Sequence, residues 1–129
     1  MILQTTLCLA AAAAVINFWL GLRIAQLRHA LHIMTGDGGN EAMVRRMRAQ
    51  ANFIETTPLL LILVGLIEAA GKGGLWLAPL GAIFMLGRVV HAIGMDGKLA
   101  WGRSLGTVTA YLATFGLAVV AVLIALQMM

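Results

Sequence analysis

Charge is what this sequence has least of. Nine basic and five acidic residues among 129 make 11% of the chain, against about 25% in an ordinary soluble domain. Hydrophobic residues make up 61% and the mean hydropathy is +0.95, which excludes a water-soluble domain with a charged surface. Cysteine is almost missing too. Cys8 alone cannot form an internal disulfide, and in its apolar run it is expected to pack as a small hydrophobe. Three histidines and that one cysteine lack the spacing of a metal site. The net charge of +4 does not imply nucleic acid, because no soluble module remains to present it.

What the chain does have is four apolar runs. Residues 1–22 carry no charge, residues 49–70 carry only Glu55 and Glu68, residues 73–95 only Arg88 and His91, and residues 104–129 none. A membrane-spanning helix needs about 20 residues at a rise of about 1.5 Å each. Four spans use up most of the chain, so one all-α domain is expected over residues 1–129, an integral membrane four-helix bundle with spans near 1–34, 41–70, 74–95 and 103–127. The first run has no basic residue ahead of its apolar part and is longer than the apolar part of a signal peptide; it is expected to stay as a helix.

The few charges are sorted. Arg23, Arg28, Arg45, Arg46 and Arg48 flank the first connection, and Arg88, Lys98 and Arg103 flank the third, while the second has only Lys72. Four spans put the first and third connections on one side. The bias of cytoplasmic loops towards Lys and Arg makes that side the cytoplasm and leaves both termini outside. Turn chemistry fits this division. Residues 35–40 are rich in Gly, Asp and Asn; Asn40 is placed to cap the second helix, with Glu41 in its first turn. Residues 71–74 make the second turn. Trp76 and Trp101 are candidates for interfacial anchors. Pro58 lies inside the second span, where it removes a hydrogen bond and tends to kink the helix.

Within that second span stands a polar ladder. Arg45, Arg48, Asn52 and Glu55 are spaced three, four and three, and so fall within about 80° on one face of a helix. Gln50 lies off that stripe. On the third span Arg88 and His91 are three apart, with Met95 one turn on. The two faces predict a polar seam in the cytoplasmic half of the bundle. Ionisable groups cost about 2.5–3.5 kcal/mol or more at the centre of a membrane, so they are kept mostly for a purpose. Two purposes compete. The groups can glue helices together, with Arg88 paired to Glu55. Alternatively, the excess of guanidinium forks over carboxylates suits an anionic ligand.

The run Arg45-Arg46-Met47-Arg48-Ala49-Gln50-Ala51-Asn52-Phe53-Ile54-Glu55, followed by Pro58, resembles the signature of the MAPEG family, the membrane-associated proteins in eicosanoid and glutathione metabolism. Every fixed position of Arg-x-x-Arg-Ala-x-x-Asn-x-x-Glu is matched. A second block, Gly87-Arg88-Val89-Val90-His91 with Gly97-Lys98-Leu99 and Arg103-Ser104, is similar to the third helix and following loop of family members. The likeness covers about residues 10–115. It implies a homotrimer of four-helix bundles that binds glutathione between neighbouring subunits near the cytoplasmic face. Carried over by position, Arg48, Asn52 and Glu55 would hold the γ-glutamyl end, with Gln50 assisting and Arg45 on the same stripe. Arg88 and His91 would complete the wall, Arg23 or Arg28 would clamp a carboxylate, and Arg103, beside Ser104, would approach the thiol as the catalytic group. A guanidinium there lowers a thiol's pKa and favours the nucleophilic thiolate.

The resemblance therefore implies a glutathione-dependent transferase or peroxidase acting on a lipophilic electrophile or hydroperoxide. Two departures bear on rate and substrate: Thr56 and Met95 stand where active relatives often have tyrosines, and Tyr111 is the sole tyrosine. The loop before Arg103 is also a residue short. These departures keep open a non-catalytic lipid-binding or regulatory protein of the same fold. A small transporter or channel is a third reading, which a ladder confined to half the bundle disfavours.

Overall fold

The computed structural model describes residues 2–129. Four helices form in order: α1 (Gln4–Leu31), α2 (Glu41–Ala69), α3 (Leu77–Met95) and α4 (Gly102–Ala125). Each is long and apolar enough to cross a membrane.

Local chemistry sets the ends. The helix α1 stops at Leu31, short of residue 34, because His32 turns left-handed at φ 56° and the Arg28 carbonyl takes up the following amides. The Asn40 side chain accepts the Met43 amide at 3.0 Å and caps α2, with Glu41 in its first turn. At the other end of α2, Gly71 adopts φ +73°, and the Gly71 and Lys72 amides return to the Glu68 and Ile67 carbonyls, which closes the helix with a Schellman turn. The third helix starts at Leu77 rather than near 74, since residues 73–76 are spent on that turn. Pro79 sits in its first turn, where a missing N–H does no harm. Pro58 lies inside α2, which continues through it as one helix.

Helices α2 and α3 occupy the centre. Both touch α1 and α4, while α1 and α4 do not pack on each other among the described residues. Leu20, Leu60, Val64, Ile67, Leu77, Phe84 and Leu117 are fully buried and fill the space between helices. The most extensive contact joins α3 to α4, and glycines make it. A Cβ on Gly106 would lie 2.5 Å from the His91 Cβ and 2.6 Å from the Gly87 carbonyl oxygen. Gly94 on α3 meets the backbone of Gly102 and Arg103 on α4. Gly102 and Gly106 form a Gly-x-x-x-Gly step, the spacing that lets membrane helices approach backbone to backbone.

The outer surface is apolar. Phe18, Leu112 and Phe115 are all about 70% exposed, at 72%, 69% and 74%. A water-soluble monomer rarely shows such a continuous apolar face, whereas hydrocarbon solvates it without cost. The described chain is thus an all-α, four-helix integral membrane protein.

Candidate functional site

The end of the bundle carrying the first and third connections holds most of the charge, and the structure sorts those groups into three arrangements.

The first is closed. Arg23, near the end of α1, is 8% exposed. It pairs with the carboxylate of Asp96, which caps the C-terminus of α3, and stacks at 4.8 Å over the Trp19 ring. Arg46 of α2 donates to the Arg23 carbonyl at 2.5 Å and brings its Nε within 3.9 Å of Asp96. One carboxylate so gathers two arginines from two helices. Arg28 is also engaged at home: it donates to the Gly36 carbonyl at 2.7 Å and holds the first connection against α1. The structure therefore places Arg23 and Arg28 in contacts within the chain, away from the ladder.

The second is the seam between α2, α3 and α4. Arg88 is 2% exposed. Its guanidinium donates to the Asn52 side-chain oxygen on α2 and to the Gly106 carbonyl on α4, with the Phe84 ring 5.5 Å away. The expected pairing of Arg88 with Glu55 does not form. Asn52 takes that place, and Glu55 faces outward on the next turn. Arg88 Nε remains buried without a partner among the described residues. His91, one turn further along α3, is also buried and packs against Gly106. The ladder, Arg88, His91 and the start of α4 thus meet at one node. Thr56, next to Glu55, spends its hydroxyl on the Asn52 carbonyl at 2.8 Å.

The third arrangement is open. Arg48, Glu55, Arg103 and Ser104 are exposed, and none of their side chains has a hydrogen-bond or ion-pair partner among the described residues. Arg45, on the same stripe, makes only a loose 4.0 Å contact with Glu41. Gln50 is turned the other way, its amide beside Gly21 on α1. Arg103 sits in the first turn of α4, three residues before the Gly106 carbonyl that Arg88 holds. Unpartnered cations beside a carboxylate, on an otherwise apolar molecule, are what recognition of a small zwitterionic or polyanionic molecule requires. Among the described residues, no three of His, Cys, Asp and Glu are placed to hold a metal ion.

Several residues that matter here escaped the sequence reading. Nothing in the sequence singles out Asp96, and only tertiary packing shows that it gathers Arg23 and Arg46. Glu68 stands in the sequence only as one of the two charges of the second apolar run. Its carboxylate accepts the Thr5 and Thr6 amides at 2.8 and 2.9 Å and the Thr6 hydroxyl at 2.7 Å, so α2 caps the start of α1. The Gly102-x-x-x-Gly106 spacing was the one signal in the sequence that pointed to the α3–α4 contact.

No curated protein matches the chain. The model of the MAPEG family does match, over residues 6–123 of the 129, and so takes in all four helices and every arrangement described above. Together with the four membrane-crossing helices and the Arg48–Asn52–Glu55 stripe, that match makes the chain a member of the MAPEG family, whose members include glutathione-dependent transferases and peroxidases.

Proposed function

We propose that this protein is a glutathione-dependent membrane transferase or peroxidase. The observation that carries the reading is the open stripe: the side chains of Arg48, Glu55 and Arg103 have no partner among the described residues, while Arg88 and Asn52 brace the helices behind them. The donor set fits glutathione. Guanidinium forks of Arg48 and Arg45 suit its carboxylates, and Glu55 suits its ammonium. Asn52 and Arg88 fix the spacing of α2 against α3, and His91 closes the wall. When bound, glutathione supplies the thiol nucleophile. Arg103, next to Ser104, stabilises the thiolate form of that sulfur and so prepares it to attack a lipophilic electrophile or a hydroperoxide arriving from the lipid.

The stripe faces outward on a single chain, which supports a site completed by a neighbouring subunit and a homotrimeric assembly. Charge distribution supports a cytoplasmic site, with both termini outside, in a plasma or inner membrane. Arg23 and Arg28 act in this reading as braces of the site's floor, and Gln50 as packing against α1.

Calorimetry with purified protein tests the proposal. Wild type should bind glutathione, and Arg48→Ala should lose at least about tenfold in affinity, as expected for a charge-assisted hydrogen bond worth roughly 1.5–3 kcal/mol. Arg103→Ala should keep binding and lose turnover with a model electrophile. A folded wild type that binds no glutathione would move the assignment to the non-catalytic reading. One feature supports that reading: an apolar groove of about 520 Å³ between α1 and α3, lined by Cys8, Leu9, Ala12, Ala82, Met85 and Leu86, that is open to a lipid chain.

A further inference from the structure

A small pocket of about 170 Å³ lies between the last turns of α1, the first turns of α2 and the start of the third connection, lined by Leu27, Ala42, Arg45, Arg46, Asp96 and Lys98. Three cations and one carboxylate face it. The carboxylate is spent on Arg23 and Arg46, with which it pairs, and so leaves Arg45 and Lys98 without it. Glu41 lies against Arg45 only at 4.0 Å and is itself 90% exposed. Lys98 has no hydrogen-bond or ion-pair partner among the described residues and is exposed. The pocket therefore keeps an uncompensated positive charge at the level where the helices leave the membrane.

We infer that this pocket binds the phosphodiester of an anionic phospholipid. The side-chain chemistry suits a phosphate: the loosely held Arg45 guanidinium and the unpartnered Lys98 ammonium line the pocket beside Arg46, which the Asp96 junction holds in place. Leu27 and Ala42 add an apolar wall, which a free inorganic ion cannot use and a glycerol backbone can. Trp101, 58% exposed in the same connection as Lys98, belongs to the residue type that settles at headgroup depth. Basic pockets between membrane helices on the cytoplasmic side are where acidic headgroups collect. The occupied pocket would tie α1, α2 and the third connection together through one bound lipid.

This site is separate from the glutathione stripe except at Arg45, so its test uses Lys98. Native mass spectrometry of the purified protein in detergent would compare phosphatidylglycerol with phosphatidylcholine of identical chains. Wild type should retain phosphatidylglycerol in clear preference. Lys98→Gln should reduce that retention about fivefold, the effect of one surface cation on an acidic lipid, and leave phosphatidylcholine unchanged. Lys72→Gln, at the opposite end of the bundle, should change neither. Equal retention of the two lipids by wild type would overturn the inference, as would a loss in Lys72→Gln matching that in Lys98→Gln. Release of the lipid by equimolar inorganic phosphate would overturn the lipid assignment. Glutathione calorimetry on Lys98→Gln should match wild type; a parallel loss there would show that the pocket is part of the glutathione site and not a lipid site of its own.

Discussion

Arg23 and Arg48 lie at the same end of the same bundle and lead opposite lives. Arg23 is buried, paired with Asp96, stacked on Trp19 and bonded through its carbonyl to Arg46. Arg48 is exposed and without a partner among the described residues. In an apolar chain both charges are expensive, so both need a reason to persist. The first charge is consumed by structure: it joins α1 to α3 and, through Asp96 and Arg46, to α2. The second is left available. Proximity to a membrane interface does not by itself identify a binding residue; what identifies it is whether the fold has already used the side chain's hydrogen-bonding capacity.

The sharpest way to break this contrast is to remove the consumed charge. Arg23→Ala leaves the Asp96 carboxylate enclosed without its closest partner, and losing one member of a buried pair typically costs about 3–5 kcal/mol. Thermal unfolding in detergent should show the largest fall of any single change described here. If the midpoint hardly moved, the junction would not be a structural brace.

Next in size is the glycine contact behind Arg88 and His91. Gly106→Ala would push a methyl group into His91 and the Gly87 carbonyl, and overpacking of this kind costs roughly 1–3 kcal/mol. Its effect on turnover should exceed its effect on stability, because it also shifts the carbonyl that Arg88 holds. Gly116→Ala is the matched control: nothing lies within 4 Å of the added carbon, and its unfolding midpoint should stay at or slightly above that of wild type.

A smaller and local effect is expected from Glu68→Gln. The Thr5 and Thr6 amides donate to different oxygens of Glu68, so a glutamine would keep an acceptor for only one of them and would lose the negative charge at a helix N-terminus. Hydrogen exchange at those amides should quicken while the exchange of α3 stays as it was. Glutathione binding at the far end should not change.

The smallest change in stability belongs to the open stripe. Arg48→Gln should leave the stability within about 0.5 kcal/mol of wild type, as for an exposed side chain with no partner among the described residues, and yet weaken glutathione binding. A strongly destabilised Arg48→Gln would erase the distinction between the two arginines and return the ladder to a role in helix packing.

Much of this was legible in the chain. The four spans follow from apolar runs of membrane length, because hydrocarbon accepts little else than a self-bonded helix with an apolar exterior. The Asn40 cap and the turn at residues 35–40 follow from side chains that bond their own backbone. The stripe of Arg45, Arg48, Asn52 and Glu55 follows from helical spacing alone, since residues three and four apart must share a face. Membership of the family was readable from the same stripe, because its pattern fixes five of eleven positions. Even the placement of both basic connections at one end follows from counting spans, and the Arg23–Asp96–Arg46 junction, which joins those connections, agrees with it.

Which partner each polar group takes was decided only by tertiary structure. Helical spacing left Arg88 free to reach Glu55 or Asn52, and the close α3–α4 approach at Gly106 aims it at Asn52 and a backbone carbonyl instead. Arg23 and Arg48 look alike in the sequence; the position of Asp96 at the end of α3 makes one a brace and leaves the other open. Glu68 finds its role across 62 residues of chain, at the Thr6 amide. The physical reason is the same in each case. Periodicity and hydropathy are properties of one helix in its solvent, whereas the choice between hydrogen-bond partners depends on distances between helices, and those are set by where small residues let two backbones meet.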